Sequence, residues 1–370
     1  MDQEKIANRQ LFFILFIIRC NIGVAFLPAL TTADALQDAW ISEIVQFFPA
    51  ALLLIYFGSL SIRFPELTLV QYSEKLLGRW PGKALALVIL WSFLHMAATE
   101  ARIYADMLVT GFLTETPLLF LITVMVIASA TAAYAGIEVI GRAADLLFPL
   151  YILMIIGSLL MPLPMLKVML YNLEPVFARG CGPVLRGAAT PVAVISQFMV
   201  LTMLIPSLNE PRKGLRSALA ALAGASAVLI PISLVAIIIL GPLPGARSIF
   251  PFFGMVRVIA LSEFIERVEA LAIFAWGFGL FIEVAIYLFC GARGLSQVLG
   301  LEDYRPLVLP MAAIWVILGV HVAKNVFQLL TFFKPLVLGP YALSLIIFPF
   351  ALLWSAYLIR KLLGGRSGVS

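Results

Sequence analysis

Residues 10–30 read QLFFILFIIRCNIGVAFLPAL, and this stretch decides the class of the protein. It is as long as the ~20 apolar residues that a helix needs to cross a bilayer. The apolar run is too long for a cleaved signal sequence, holds Arg19 and Asn21, and is followed by no small-residue cleavage site. We therefore predict a membrane-spanning helix that stays in the mature protein.

The rest of the chain repeats this apolar pattern. Its 370 residues are 62% apolar and 12% charged, whereas soluble domains are about half apolar and about a quarter charged. Lipid offers the backbone no hydrogen-bond partner, so a chain crosses it as a helix or within a closed barrel. Runs of about 20 apolar residues favour helices over alternating strands of about 10. We predict an all-α polytopic membrane protein, one transmembrane domain over 1–370, with about ten spans: 10–30, 40–62, 82–112, 117–136, 144–165, 187–208, 216–240, 264–291, 307–329 and 335–359.

The basic residues between these spans predict the orientation of the chain. With the amino terminus inside, the cytoplasmic side holds fifteen Lys and Arg and the outer side eight. Loops rich in Lys and Arg tend to remain cytoplasmic. Both termini are therefore expected in the cytoplasm, and the net charge of +5 is a topology signal rather than a nucleic-acid footprint.

The ten spans divide into two sets of five, repeat one over about 10–165 and repeat two over about 187–359. The first span of each set is interrupted: Asn21, Gly23 and Pro28 in span one, and Pro191 with Ser196-Gln197 in span six. Paired interruptions point to an inverted-repeat transporter with its site at the bilayer midplane. The alternative is coincidence, because Gly and Pro are common in membrane helices. We expect the first gap at residues 19–24, where Gly23 would permit a positive φ or a close helix crossing.

Ionisable groups inside the membrane are costly and mark candidate functional positions. In span three, Arg102 and Asp106 are four residues apart and can pair on one face as a structural element, with Glu100 nearby. Glu283 lies deep in span eight with no basic residue at helical spacing. It must be protonated, paired with another helix or facing a polar cavity, so we assign it to a central site.

Enzyme chemistry has no support in the sequence. There is no phosphate-binding Gly-rich motif, no zinc spacing and no nucleophile with a base at a matching position. The three cysteines form no spaced pair for a disulfide framework or a metal site. We expect no catalytic residue, no metal and no cofactor.

Short motifs occur in a fixed order along essentially the whole chain: Ile22-Gly23 with Leu27-Pro28, Asp38-Ala39-Trp40-Ile41, Phe64-Pro65, Leu77-Gly78, Thr114-Glu115-Thr116-Pro117, Asn172-Leu173-Glu174-Pro175-Val176, Gly180-Cys181-Gly182-Pro183, Phe264-Ile265-Glu266-Arg267-Val268-Glu269 with Trp276, and Asp303-Tyr304-Arg305-Pro306. Together these motifs resemble the B subunit of bacterial spore germinant receptors, a branch of the amino acid, polyamine and organocation transporter superfamily.

The resemblance implies a LeuT-type 5+5 inverted repeat with discontinuous helices 1 and 6. It implies that the chain senses a germinant, typically an amino acid, between spans one, three, six and eight, and relays binding to A and C subunits in the spore inner membrane. The alternatives are a free-standing proton- or sodium-coupled amino-acid permease and a scaffold whose site has decayed. Pro191 joins Glu100, Arg102 and Asp106 as a structural or gating residue. The ligand-binding residues implied are Ile22, Gly23, Val24, Tyr104, Ser196, Gln197, Phe198, Ile282 and Glu283.

Overall fold

A computed structural model describes residues 4–25, 27–258 and 269–364. Nearly all of these residues are helical, none lies in a β-strand, and Ile6 and Leu208 form an isolated parallel bridge. Residues 264–268 of the family motif, at the start of predicted span eight, lie outside the described residues.

Each predicted span coincides with one helix or with a short series of helices. The principal helices are Asn8–Ala25 and Leu27–Ala35 (span one), Ala39–Val45 and Phe47–Ile62 (two), Arg79–Gly111 (three), Leu118–Ala135 (four), Ile137–Leu160 (five), Cys181–Ala193 and Leu201–Leu204 (six), Gly214–Leu240 (seven), Glu269–Leu299 (eight), Arg305–His321 and Val326–Phe332 (nine), and Pro335–Gly364 (ten). Shorter helices in the connections are Leu69–Leu77, Leu163–Met169, Pro242–Arg247 and Pro251–Val258.

Hydropathy and length support a polytopic membrane fold. Eight helical segments of the described residues are long and apolar enough to cross a bilayer, or nine if Arg305–His321 and Val326–Phe332 form one span. These two helices meet at a bend of 102°. The first predicted span is occupied by Asn8–Ala25, an 18-residue helix. In the most apolar 18-residue stretch of span six, 89% of the residues are buried, against 22% in that of span five. Span six is therefore central, and span five lies at the periphery of the protein.

The two predicted interruptions differ in outcome. In span six, residues Val194–Val200 form a 3₁₀ helix, so the regular helix is interrupted where the Ser196-Gln197 pair predicted. In span one, the expected gap at residues 19–24 is wrong, because the α-helix continues to Ala25 and the next helix starts at Leu27. Phe26 lies outside the described residues.

Gly23 lies where span one packs closely against span seven. A Cβ on Gly23 would lie 2.6 Å from Leu229 Cδ1 of span seven and still closer to Cδ2. The absence of a Cβ therefore lets the Leu229 side chain pack directly on span one, a role that small residues serve in membrane proteins. Of the two roles that the sequence left open for Gly23, the helix crossing is the observed one.

Backbone pairing ties the start of span one to the end of span six. Ile6 N donates to Ser207 O at 2.8 Å, and Asn209 N donates to Ile6 O at 3.0 Å. The corresponding first spans of the two repeats are thus fixed to each other at one end of the molecule.

Candidate functional site

Polar side chains from four spans meet in the interior. Asn21 Nδ2 of span one donates to Glu283 Oε2 of span eight at 2.9 Å. Gln197 Nε2 of span six donates to Glu283 Oε1 at 3.2 Å and also to Glu100 Oε1 of span three. All four side chains are 3% exposed or less. We call Asn21, Glu100, Gln197 and Glu283 the central cluster.

Local structure positions two members of the central cluster. Gly279, one helical turn before Glu283, leaves the space that Asn21 fills, because a Cβ there would overlap Asn21 Oδ1 and lie 3.0 Å from Tyr151 Cε2. Gln197 lies in the 3₁₀ segment Val194–Val200. That segment follows Pro191, which lacks an N–H and so removes one helical hydrogen bond.

The two carboxyls of the central cluster lie beside each other, because Gln197 Nε2 donates to both. Two negative charges side by side in a buried site would repel strongly. The pair therefore carries at most one negative charge in this conformation.

Several buried polar atoms of the central cluster, or of residues near its members in the chain, have no hydrogen-bond partner among the described residues: Asn21 Oδ1, Gln197 Oε1, Ser196 Oγ of the residue before Gln197, and Tyr287 Oη one helical turn after Glu283. Buried polar atoms are normally paired, so such a concentration is unusual. Amide oxygens accept hydrogen bonds, and hydroxyls both donate and accept. These atoms would complement a small polar ligand that brings its own N–H groups.

Aromatic rings lie next to the central cluster, about one helical turn from Glu100. Tyr104 of span three meets Trp276 of span eight edge to face, with ring centroids 5.3 Å apart. Phe250 and Phe253, beside and within the helix Pro251–Val258, lie 6.0 and 5.5 Å from Trp276. These rings pack on one another as an aromatic layer beside the central cluster.

Known proteins are similar in sequence to this chain along most of its length. The family described as spore germination protein matches residues 5–327. The chain belongs to this family. It is 26% identical to spore germination protein KB of Bacillus subtilis (strain 168), over 88% of this chain and 87% of that protein. It is 29% identical to spore germination protein A2 of the same organism, over 78% and 79%.

A solved structure supports the fold of this spore germination protein. The crystal structure of MhsT in complex with L-phenylalanine aligns with a TM-score of 0.68 and 14% identity, covering 96% of this chain and 99% of that one. At that identity the likeness concerns the fold alone, which is the LeuT-type transporter fold predicted from sequence. The chain is an integral membrane protein of the spore germination family.

The remaining ligand residues predicted for this spore germination protein are buried, except for the half-buried Tyr104, and do not join the central cluster's hydrogen bonds. Ser196 precedes Gln197 in the chain, and Tyr104 lies in the aromatic layer. The apolar members are 3% exposed or less and belong to the hydrophobic core: Ile22, Val24, Phe198 and Ile282. Their assignment to ligand binding stays a prediction.

The structural residues predicted in span three have two different surroundings. Arg102 Nε lies 3.0 Å from Asp106 Oδ2, the pairing that their spacing predicts. Arg102 Nη1 also donates to Val320 O at 2.6 Å and to Ala323 O at 2.7 Å, at the bend in span nine. The last carbonyls of a helix lack hydrogen-bond donors within the helix, and Arg102 donates to two such carbonyls here. Glu100, which sequence reasoning grouped with this pair, instead contacts Gln197 and Glu283.

Sequence reasoning missed two members of the central cluster as site residues. Asn21 was noted only as an interruption in span one, although a carboxamide inside an apolar run is itself a signal. Glu100 was given a structural role beside Arg102. Residues two apart on a helix point about 200° away from each other, so the spacing already separated these two side chains.

Proposed function

We propose that this protein is the ligand-sensing membrane subunit of a spore germinant receptor. It binds a small germinant in a central site between spans one, three, six and eight. The observation that carries the proposal is the convergence of Asn21, Glu100, Gln197 and Glu283, one from each of these spans, on one buried position. A ligand contacting all four would be sensitive to their relative positions, and so would bias the conformation of the bundle.

The chemistry of the central cluster favours a ligand with a primary amine. A carboxyl pair that carries at most one negative charge is matched by one ammonium group, and the free oxygens of Asn21 and Gln197 add acceptors. An amino acid or a related amine fits this set. MhsT, which shares the fold, has been crystallised with an amino acid, L-phenylalanine.

The family and the fold support the wider arrangement that we propose. The subunit relays germinant binding to A and C partner subunits in the spore inner membrane, with both termini in the cytoplasm. It binds its ligand without converting it, and it uses no metal or cofactor. The relay requires that the ligand contacts differ between two conformations of the bundle.

The carboxyl pair also favours a second function, proton-coupled uptake of the same ligand. A proton held by the pair of Glu100 and Glu283 would be displaced when an ammonium group binds there. Alternating access in a LeuT-type bundle would then couple proton and ligand movement. The two functions share the site and differ in whether the ligand crosses the membrane.

Binding and uptake measurements separate these functions. Purified protein in lipid nanodiscs would be screened by thermal shift against amino acids and simple amines, with Glu283→Gln as the site variant. Glu138→Gln is the matched control, because that exposed carboxylate pairs with Arg142 on the surface. We expect a ligand that stabilises the wild type and the control but not Glu283→Gln. No stabilisation by any amine, or equal stabilisation of all three proteins, would refute the proposed site.

Any ligand found in this way would then be tested for uptake into liposomes, with and without a pH gradient. Stabilisation without uptake supports the sensor. Uptake driven by the pH gradient supports the permease.

A further inference from the structure

A second cavity lies apart from the central cluster, between span three, the bend of span nine and the start of span ten. Its volume is about 250 Å³. Its wall includes His95 and Thr99 of span three, Ala323, Gln328 and Phe332 of span nine, and Val337 of span ten.

Neutral polar groups dominate the polar part of this wall. His95 Nδ1 is buried and has no hydrogen-bond partner among the described residues. Tyr341 lies beside the wall, with its ring centroid 5.4 Å from that of His95, and its Oη is also buried without a hydrogen-bond partner among the described residues. Thr99 Oγ1 donates to His95 O at 2.7 Å and keeps its capacity to accept. Among the described residues, no Asp, Glu, Lys or Arg lines the cavity.

One aromatic ring, that of Phe332, and four aliphatic side chains form the apolar part: Val322, Ala323, Leu329 and Val337. The Phe332 ring lies 5.1 Å from the ring of His95, edge to face. Outside the wall, Trp91 stacks on His95 with centroids 6.1 Å apart, and Phe332 lies 5.6 Å from the ring of Tyr341. Phe332 and His95 therefore offer a ring edge and a ring face to a flat guest, the arrangement that aromatic pairs prefer.

We propose that this cavity is a binding site for a small uncharged molecule, about one ring in size, that carries a hydroxyl group. An apolar cavity of about 150 Å³ already holds benzene, and ligand pockets for drug-sized molecules start at about 300 Å³. The neutral wall disfavours a charged ligand, which would lose its hydration without gaining a counter-ion. The hydroxyl pairs with His95 Nδ1.

Benzyl alcohol and toluene form a matched probe pair, because they differ chiefly by one hydroxyl group. Saturable binding of each probe to protein in lipid nanodiscs would be measured by equilibrium dialysis, after subtraction of binding to empty nanodiscs. One neutral hydrogen bond corresponds to about 2- to 10-fold in affinity. We therefore expect benzyl alcohol to bind the wild type about 2- to 10-fold more tightly than toluene.

Two variants test where the hydroxyl binds. His95→Phe keeps a ring and removes Nδ1, so the affinity ratio of the two probes should fall towards one. Tyr341→Phe removes only a hydroxyl beside His95 and is an independent variant if His95→Phe does not fold. The control is Tyr56→Phe, which removes a hydroxyl that donates to Ile347 O at 3.3 Å elsewhere in the molecule; its ratio should match the wild type.

Three results would overturn the assignment. These are an absence of saturable binding above empty nanodiscs, an affinity ratio unchanged in both His95→Phe and Tyr341→Phe, and binding of the cation benzylammonium as tight as that of benzyl alcohol. The last would show that the site does not select uncharged molecules.

Discussion

Replacing Gly279 with alanine should disturb the central cluster without changing any of its four residues. The new Cβ would overlap Asn21 Oδ1, lie 3.1 Å from Asn21 Cγ and lie 3.0 Å from Tyr151 Cε2. Asn21 would have to move, and its hydrogen bond to Glu283, now 2.9 Å, would lengthen or break. The perturbation therefore acts on the site through packing alone.

The size of the effect follows from three contributions. Inserting a methyl group into a packed interior costs about 1–3 kcal/mol. Losing one hydrogen bond to a carboxyl adds about 1 kcal/mol. Alanine in place of a helical glycine contributes about 0.5–1 kcal/mol of stabilisation. The free energy of unfolding of Gly279→Ala should thus fall by about 1–3 kcal/mol, with weaker binding of any ligand that contacts Asn21.

Reversible unfolding in mixed micelles would measure this difference, with Gly157→Ala as the matched control. Gly157 is also helical, and a Cβ there would meet nothing within 4 Å. The control should be unchanged or more stable by up to about 1 kcal/mol. If Gly279→Ala is as stable as Gly157→Ala and binds ligand like the wild type, Asn21 is not held by this contact and the proposed packing is wrong.

Three other changes have defined outcomes. Arg102→Met removes two short hydrogen bonds to carbonyls at the bend of span nine. At about 1.5–3 kcal/mol each, their loss should lower the free energy of unfolding by about 3–6 kcal/mol, and a loss below about 1 kcal/mol would contradict the capping role of Arg102. Lowering the pH should weaken amine binding to the wild type in thermal-shift titrations, because a proton on both Glu100 and Glu283 would remove the negative charge that pairs with an ammonium group; a flat pH profile would count against the carboxyl pair. Gly23→Ala should weaken the ligand response while the protein still folds. A second change, Leu229→Ala, clears the 2.6 Å contact and should restore the response. If the double variant does not recover, the close helix crossing is not the cause of the weaker response.

Local sequence patterns predicted the spans and one of the two interruptions. Long apolar runs coincide with helices because the bilayer imposes helical hydrogen bonding on any segment inside it. Pro191 and the Ser196-Gln197 pair marked the irregular part of span six because a missing N–H weakens a helix at a known place. The misplaced gap in span one shows the limit of local patterns. Gly23 could serve backbone freedom or close packing, and the choice depended on Leu229, which is distant in the chain.

The central cluster depended on contacts that no spacing reveals. Glu283 was recognised because an isolated carboxyl in a membrane span requires a partner, but its partners come from distant parts of the chain. Asn21 reaches it only because Gly279 leaves room, and glycine serves many different purposes in membrane helices. Glu100 was recognised as an ionisable residue within a span, but it was assigned a structural role because Arg102 is close to it in the sequence. The kind of chemistry at the site could therefore be predicted from the sequence. Which residues form the site depends on how the helices pack.

Span three connects the central cluster, the second cavity and the bend of span nine. Thr99 lines the second cavity, Glu100 joins the central cluster, and Arg102 holds the bend. Successive residues of a helix point about 100° apart, so these neighbours contact three different parts of the protein. Because Arg79–Gly111 is one continuous helix of 33 residues, a ligand that displaces Glu100 also displaces Arg102, and the carbonyls of Val320 and Ala323 must follow or lose their donor. Ligand binding at the centre would therefore move the bend of span nine, which gives the proposed relay a physical route out of the site.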